Sequence, residues 1–208
     1  MADNLTTTLR LMLVTDDALL AGRDPVLVCR AAVAGGVTAV QLRLKQVGPR
    51  ALLETAVRLR DALPVPVLVN DRPDVAAAAG LGVHLGPDDL APALARLVVG
   101  ATSLIGASVG SAEEVTRGEA ADYWGIGPWR TTGTKGDAGT ALGAEGFAAI
   151  ARAAGARPRL AIGGVRPEDV PAVIEAGATG VAVVSGILGA PDIEAAARRF
   201  AKALEESR

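Results

Sequence analysis

Apolar residues along this chain fall into short runs of strand length, separated by longer stretches in which they recur at helical spacing. The runs are Leu9 to Thr15, Val37 to Arg43, Val65 to Asn70, Gly82 to Gly86, Leu104 to Val109, Tyr123 to Gly127, Leu160 to Gly164 and Gly180 to Ser185. Punctuation residues mark the helices between them. Asp24-Pro25 supplies an N-cap and a first-turn proline, and Gly35-Gly36 closes that helix. Further helices are expected over Pro49 to Leu63, from near Pro73, over Ala91 to Val98, near Ser111 to Glu119, and over Gly143 to Ala154. Pro167 to Ala176 carries Val170, Val173 and Ile174 at helical spacing with Gly177 as its cap. The last, Ile193 to Leu204, puts Ile193, Ala196, Ala197, Phe200 and Leu204 on one face. Eight strands alternating with eight helices require parallel pairing, because parallel strands need crossover connections. The expected α/β fold is therefore one (β/α)8 TIM barrel over residues 1–208, near the lower length limit of roughly 200 for that fold. An open doubly wound sheet is the runner-up. It lacks the G-x-G-x-x-G turn after the first strand.

Composition narrows the chemistry. The net charge of −2 gives no global electrostatic reason to expect nucleic acid or an anionic membrane as partner. Cys29 and His84 are the single cysteine and histidine, which removes intrachain disulfides, zinc sites and Cys–His nucleophilic pairs. A metal would have to be a hard cation on carboxylates. The polar N-terminus is no signal peptide and no apolar run reaches membrane-spanning length, so a cytoplasmic location is expected. Small-molecule partners are expected, and a homodimer stays open beside a monomer.

In a parallel barrel the carboxyl ends of the strands and the loops after them build the active site. The unusual polar residues collect there. Strand two ends in Gln41, Arg43 and Lys45, which alternation puts on one side. Strand three ends in Asn70-Asp71, strand four is followed by Asp88-Asp89, and strand five carries Ser108. Strand six leads into a Gly-rich loop with Thr132, Thr134 and Lys135. Strands seven and eight end in Gly163-Gly164 and Val184-Ser185-Gly186, the usual phosphate position of this fold. Arg43, Lys45 and Lys135 beside Asp71 and Asp89 suit a diphosphate bridged by Mg²⁺. The alternative for the same charges is a set of rim salt bridges. Two phosphate sites in one mouth point to two phosphorylated substrates, hence a transferase or condensation.

These residues, taken together, resemble the thiamine phosphate synthase family. The resemblance runs nearly end to end, through Leu-Val-Thr-Asp at 13–16, Ala-Val-Gln-Leu-Arg at 39–43 with Lys45, Val-Asn-Asp at 69–71, and Gly-Val-His-Leu-Gly at 82–86 with Asp89. It continues through Gly106-Ala107-Ser108, the run at 127–135, Ala-Ile-Gly-Gly-Val at 161–165 and Gly-Val-Ala-Val-Val-Ser at 180–185. It implies that hydroxymethylpyrimidine diphosphate and hydroxyethylthiazole phosphate are joined with release of diphosphate, by a dissociative carbocation route. It implies Gln41, Arg43, Lys45, Asn70, Ser108 and Lys135 on the pyrimidine diphosphate, with Asp71 and Asp89 on Mg²⁺. Thr132, Thr134, Gly164, Val184 and Ser185 would receive the thiazole phosphate. Only the resemblance favours Asp89 over Asp88. The chain departs from the family pattern at Leu44, Pro87, Gly110-Ser111 and Trp129-Arg130-Thr131. A thiazole tautomerase-like or non-catalytic phosphate-binding paralogue is the alternative; the tautomerase uses a histidine where this chain has Gly110. Of the remaining residues, His84 is read as a hydrogen-bonded core histidine, Cys29 and Trp124 as core, Trp129 as a flank for the pyrimidine, and Asp16 and Asp17 as caps or rim charges.

Overall fold

Every apolar run becomes a strand, each of them shorter than the run itself. They are β1 (Leu11–Val14), β2 (Ala39–Leu42), β3 (Val67–Asn70), β4 (Gly82–Leu85), β5 (Ile105–Val109), β6 (Tyr123–Ile126), β7 (Arg159–Ala161) and β8 (Gly180–Val183). Each pairs in parallel with its sequence neighbour, and β8 returns to β1 through Leu11↔Val181 and Leu13↔Val183, which closes the barrel. This is a computed structural model, and it describes residues 2–131 and 140–207.

The first helices are α1 (Ala2–Thr8), α2 (Asp17–Leu20), α3 (Pro25–Ala34), α4 (Pro49–Ala62), α5 (Pro73–Ala79) and α6 (Pro92–Val99). The rest are α7 (Ala112–Gly118), α8 (Gly143–Ala153), α9 (Val170–Glu175), α10 (Ser185–Leu188) and α11 (Ile193–Glu206), with a 3₁₀ turn at Pro167–Asp169. The eight expected helices are all present, seven of them crossovers and the last following β8. Three were not expected: α1 has no apolar periodicity, and α2 and α10 are single turns inside loops. Ser185, read as a strand residue, opens α10 instead. β1 ends at Val14, so the chain beyond Val183 has little strand left to pair with and turns into a helix. Gly163 and Gly164 likewise lie past the end of β7 rather than in it.

Local chemistry sets the helix ends. Asp24 accepts the Val26 N–H at 2.9 Å ahead of Pro25, as an N-cap should. The apolar face of α11 is the predicted one: Ile193, Ala196, Ala197, Phe200 and Leu204 are its buried residues. Burying Ile193, Phe200 and Leu204 contributes roughly 1.5–3 kcal/mol each. No described helix is long and apolar enough to cross a membrane.

The core has two shells. The outer one lies between strands and helices and includes Val40, Leu42, Val69, Trp124, Phe147 and Phe200. The inner one fills the barrel with Met12, Val14, Ala39, Leu68, Tyr123, Leu160 and Ala182. Alternation along each strand assigns residues to the two shells. It also decides which side chains stand at the mouth.

Candidate active site

Following the inward positions to the carboxyl ends gives Val14, Gln41, Asn70, His84, Ser108, Gly125 and Ala182 from seven strands, and Ile162 just past the end of β7. All eight line a cavity of about 280 Å³ at the barrel mouth. Gln41, Asn70, His84 and Ser108 come from four consecutive strands, so the floor is polar on one side. Register carries this arc, with Asn70 opposite His84 across β3–β4. Arg43, Gly164, Val184 and Ser185 line the same cavity.

Tyr123 closes the floor. It is fully buried, and its hydroxyl lies 2.9 Å from Nδ1 of His84, whose Nε2 is 3.1 Å from Ser108 Oγ. The ring fits because β5 carries Gly106 beneath it: a Cβ there would stand 2.2 Å from Tyr123 Cζ. Burial pushes the Tyr123 phenol well up from its ordinary value, and the neighbouring Gln41 amide opposes that only in part. His84 is thus hydrogen-bonded and buried as expected, and it also lines the cavity, which the sequence reading had not placed there.

The cations are arranged by carboxylates. Thr15 Oγ1 accepts the Arg43 N–H at 2.8 Å and donates to its carbonyl at 3.2 Å, pinning the chain just past β2. Arg43 Nη1 then meets Asp16 Oδ2 at 2.8 Å, with both side chains mostly buried. Asp16 Oδ1 caps α2 by accepting the Ala18 and Leu19 N–H groups. Asp17 accepts the backbone N–H of Lys45 at 2.8 Å. The cap and rim-charge readings of Asp16 and Asp17 therefore both hold. Lys45 Nζ reaches Asp71 Oδ2 at 3.4 Å.

Asp71 and Asp89 come together on the rim beside the cavity. Asp71 has a left-handed backbone, φ +63°, held by its N–H donating to the His84 carbonyl at 2.8 Å. Such a conformation costs a non-glycine residue roughly 1–2 kcal/mol and is found where the surroundings over-determine it. Asp89 Oδ2 accepts the Gly86 N–H at 2.6 Å, whereas Asp88 is exposed. Burial, and then the hydrogen-bonded Asp71 carboxyl beside it, push Asp89 up to about 6. Two carboxylates in contact repel each other when both are ionised, and a cation beside them relieves that repulsion. A pair of hard oxygen donors fits Mg²⁺, which completes its shell with waters and substrate phosphates. No group of three or more His, Cys, Asp or Glu poised for a metal occurs among the described residues.

The opposite wall is backbone. Gly163 and Gly164 take φ +90° and +69°, and a Cβ on Gly163 would meet Pro128 at 2.6 Å. Only glycine fits both the conformation and the close approach. α10 begins at the cavity, and the first N–H groups of any helix have no partner within it.

The structure also corrects and extends the sequence reading. Trp129 does not flank the cavity; it is buried in the outer shell with its ring edge-on to Phe147 at 5.8 Å. Glu114 lines the cavity unforeseen, with Oε2 accepting the Gly110 N–H. Ser111-x-x-Glu114 is a capping-box spacing, so a signal for it existed. Thr132, Thr134 and Lys135 lie outside the described residues.

Comparison with known proteins places this geometry. The family model described as thiamine monophosphate synthase matches residues 11–187. A thiamine-phosphate synthase of Azorhizobium caulinodans is 50% identical over 206 residues, covering 96% of this chain and 97% of that one. One from Moorella thermoacetica is 41% identical over 204 residues, covering 95% and 97%. Among solved structures, the thiamine phosphate pyrophosphorylase of Pyrococcus furiosus superposes with a TM-score of 0.88 at 34% identity, covering 98% of this chain and 99% of that one.

Proposed function

Because the chain belongs to the thiamine monophosphate synthase family, whose enzymes are transferases of thiamine biosynthesis, we propose that its cavity joins hydroxymethylpyrimidine diphosphate to hydroxyethylthiazole phosphate. The observation that carries this reading is the Asp71–Asp89 pair beside Lys45, next to a cavity lined by Arg43 and, on its other wall, by Gly163-Gly164 and Val184-Ser185.

Asp71 and Asp89 would hold Mg²⁺, which when bound supplies positive charge to the diphosphate oxygens. Arg43 and Lys45 would take the remaining charge of that group, and Ser108 and Asn70 would donate to it. As the methylene C–O bond breaks, its electron pair leaves with the diphosphate, so these donors stabilise charge that grows during the step. The pyrimidine methylene cation left behind is captured by the lone pair of the thiazole nitrogen, forming the C–N bond. No proton is transferred and no protein nucleophile is needed. The backbone at Gly163-Gly164 and Val184-Ser185 would hold the thiazole phosphate, and positioning of the two substrates supplies the rest.

The test is diphosphate release from hydroxymethylpyrimidine diphosphate, with and without thiazole phosphate and Mg²⁺, in wild type and Asp71→Ala. Release that needs both additions and disappears in the variant is expected. Thiazole phosphate binding without any release would instead indicate a tautomerase-like or binding-only protein.

A further inference from the structure

We propose that Tyr123 and His84 form a positioning relay that turns the Ser108 hydroxyl hydrogen into the cavity, so that Ser108 meets the pyrimidine diphosphate as a donor. This rests on the reading of the cavity given above. Tyr123 is fully buried with its hydroxyl 2.9 Å from His84 Nδ1. Of the other groups at that hydroxyl, the Gln41 amide acts on it as a donor and the thioether of Met12, at 3.9 Å, is a weak acceptor. A phenol is also a stronger acid than a ring N–H, so Tyr123 donates to Nδ1. The ring proton then resides on Nε2, which donates to Ser108 Oγ across 3.1 Å. With its oxygen occupied as an acceptor on that side, Ser108 directs its own hydrogen to the cavity it lines. The reverse order would present serine lone pairs to an anion.

The barrel is cut to hold this chain of groups. Gly106 leaves room for the phenol, and a Cβ on Gly125 would crowd His84 Cε1 at 3.2 Å. Tyr123 is thereby fixed by backbone on the neighbouring strand β5, and His84 by backbone on β6, two strands away. Neither touches substrate in this scheme; they act through Ser108.

The experiment compares Tyr123→Phe, Ser108→Ala and the double variant by steady-state kinetics, with calorimetric binding of inorganic diphosphate and Mg²⁺ as a second readout. Tyr123→Phe should raise KM for the pyrimidine diphosphate and weaken diphosphate binding about tenfold, the scale of one hydrogen bond to a charged group. KM for thiazole phosphate should not move. Ser108→Ala should behave alike, and the double variant should be no worse than Ser108→Ala alone. His84→Gln, which keeps a donor near Nε2, should retain more diphosphate affinity than the shorter His84→Asn. A Tyr123→Phe protein that matches wild type, or losses that add in the double variant, would overturn the relay. A wild type that releases no diphosphate at all sinks the cavity reading and the relay with it.

Discussion

Replacing Gly106 by alanine probes the fold and the site at once. A Cβ at that position would lie 2.2 Å from Cζ and 2.4 Å from the hydroxyl of Tyr123. Carbon atoms pack at about 3.5–4.0 Å, so the ring would have to retreat by more than about 1 Å. It has nowhere to go. Tyr123 is fully buried in an inner shell with Met12, Leu68 and Leu160, and is tied to His84. Overpacking of this kind costs roughly 1–3 kcal/mol, and a rigid ring end places it near the top of that range. At about 2–4 °C per kcal/mol for a chain of this size, the midpoint of thermal unfolding should fall by about 6–12 °C. Displacing the phenol by an ångström also breaks its bond to His84, so KM for the pyrimidine diphosphate should rise in the protein that still folds. Circular dichroism melts and steady-state diphosphate release measure the two effects. A melt within about 2 °C of wild type together with an unchanged KM would show that the ring has room, and the packing argument would fail.

Two further outcomes follow from groups away from the cavity. Asp169 is buried, accepts the Arg166 N–H at 3.0 Å and receives Arg130 through both carboxylate oxygens, and Arg130 holds it below the usual carboxylate range. A depressed folded value stabilises the protein above the unfolded value near 3.9 and loses that contribution as pH falls through the folded one. Asp169→Asn should therefore cost about 1–2 kcal/mol at pH 7, reduced because Arg130 is half exposed, and the urea-midpoint gap should shrink below about pH 4; a gap independent of pH would refute the ionic account. Cys29 is wholly buried, and burial followed by the nearby Asp24 charge pushes its thiol up to about 12. Since the thiolate is the reactive form, labelling by a disulfide reagent at pH 8 should track unfolding across a urea series, and prompt labelling of native protein would contradict this.

The fold was legible because its signal repeats. Each strand is a short apolar run flanked by Gly, Pro or Asp, and closure leaves no edge strand to behave differently. Gln41, Asn70 and Ser108 were marked by their place at strand ends, and strand parity sends all three inward to the cavity floor. What escaped were features set by contact across the barrel. Nothing local says that the Tyr123 hydroxyl reaches His84, thirty-nine residues earlier, or that Asp16 caps a one-turn helix while holding Arg43. Trp129 was misplaced for the same reason: an aromatic residue in a loop after a strand can face the mouth or the shell, and Phe147 decides for the shell.

The rim charges were open to two readings, ligand groups or salt bridges, and the distances show why these do not compete. Lys45 and Asp71 are paired at 3.4 Å, but with about half and a quarter of their side chains exposed. Such a pair is worth at most about 1 kcal/mol. In the proposed reaction Asp71 would hold the divalent cation and Lys45 would meet a phosphate oxygen, so each would exchange a weak partner for a more highly charged one. Arg43 differs. Its bond to Asp16 is 2.8 Å long and mostly buried, and Asp16 is held from behind by the N–H groups of α2. That pair should persist in the complex, occupying one face of the guanidinium and leaving other N–H donors of its rigid fork for the diphosphate. One salt bridge is a placeholder and the other is a mount.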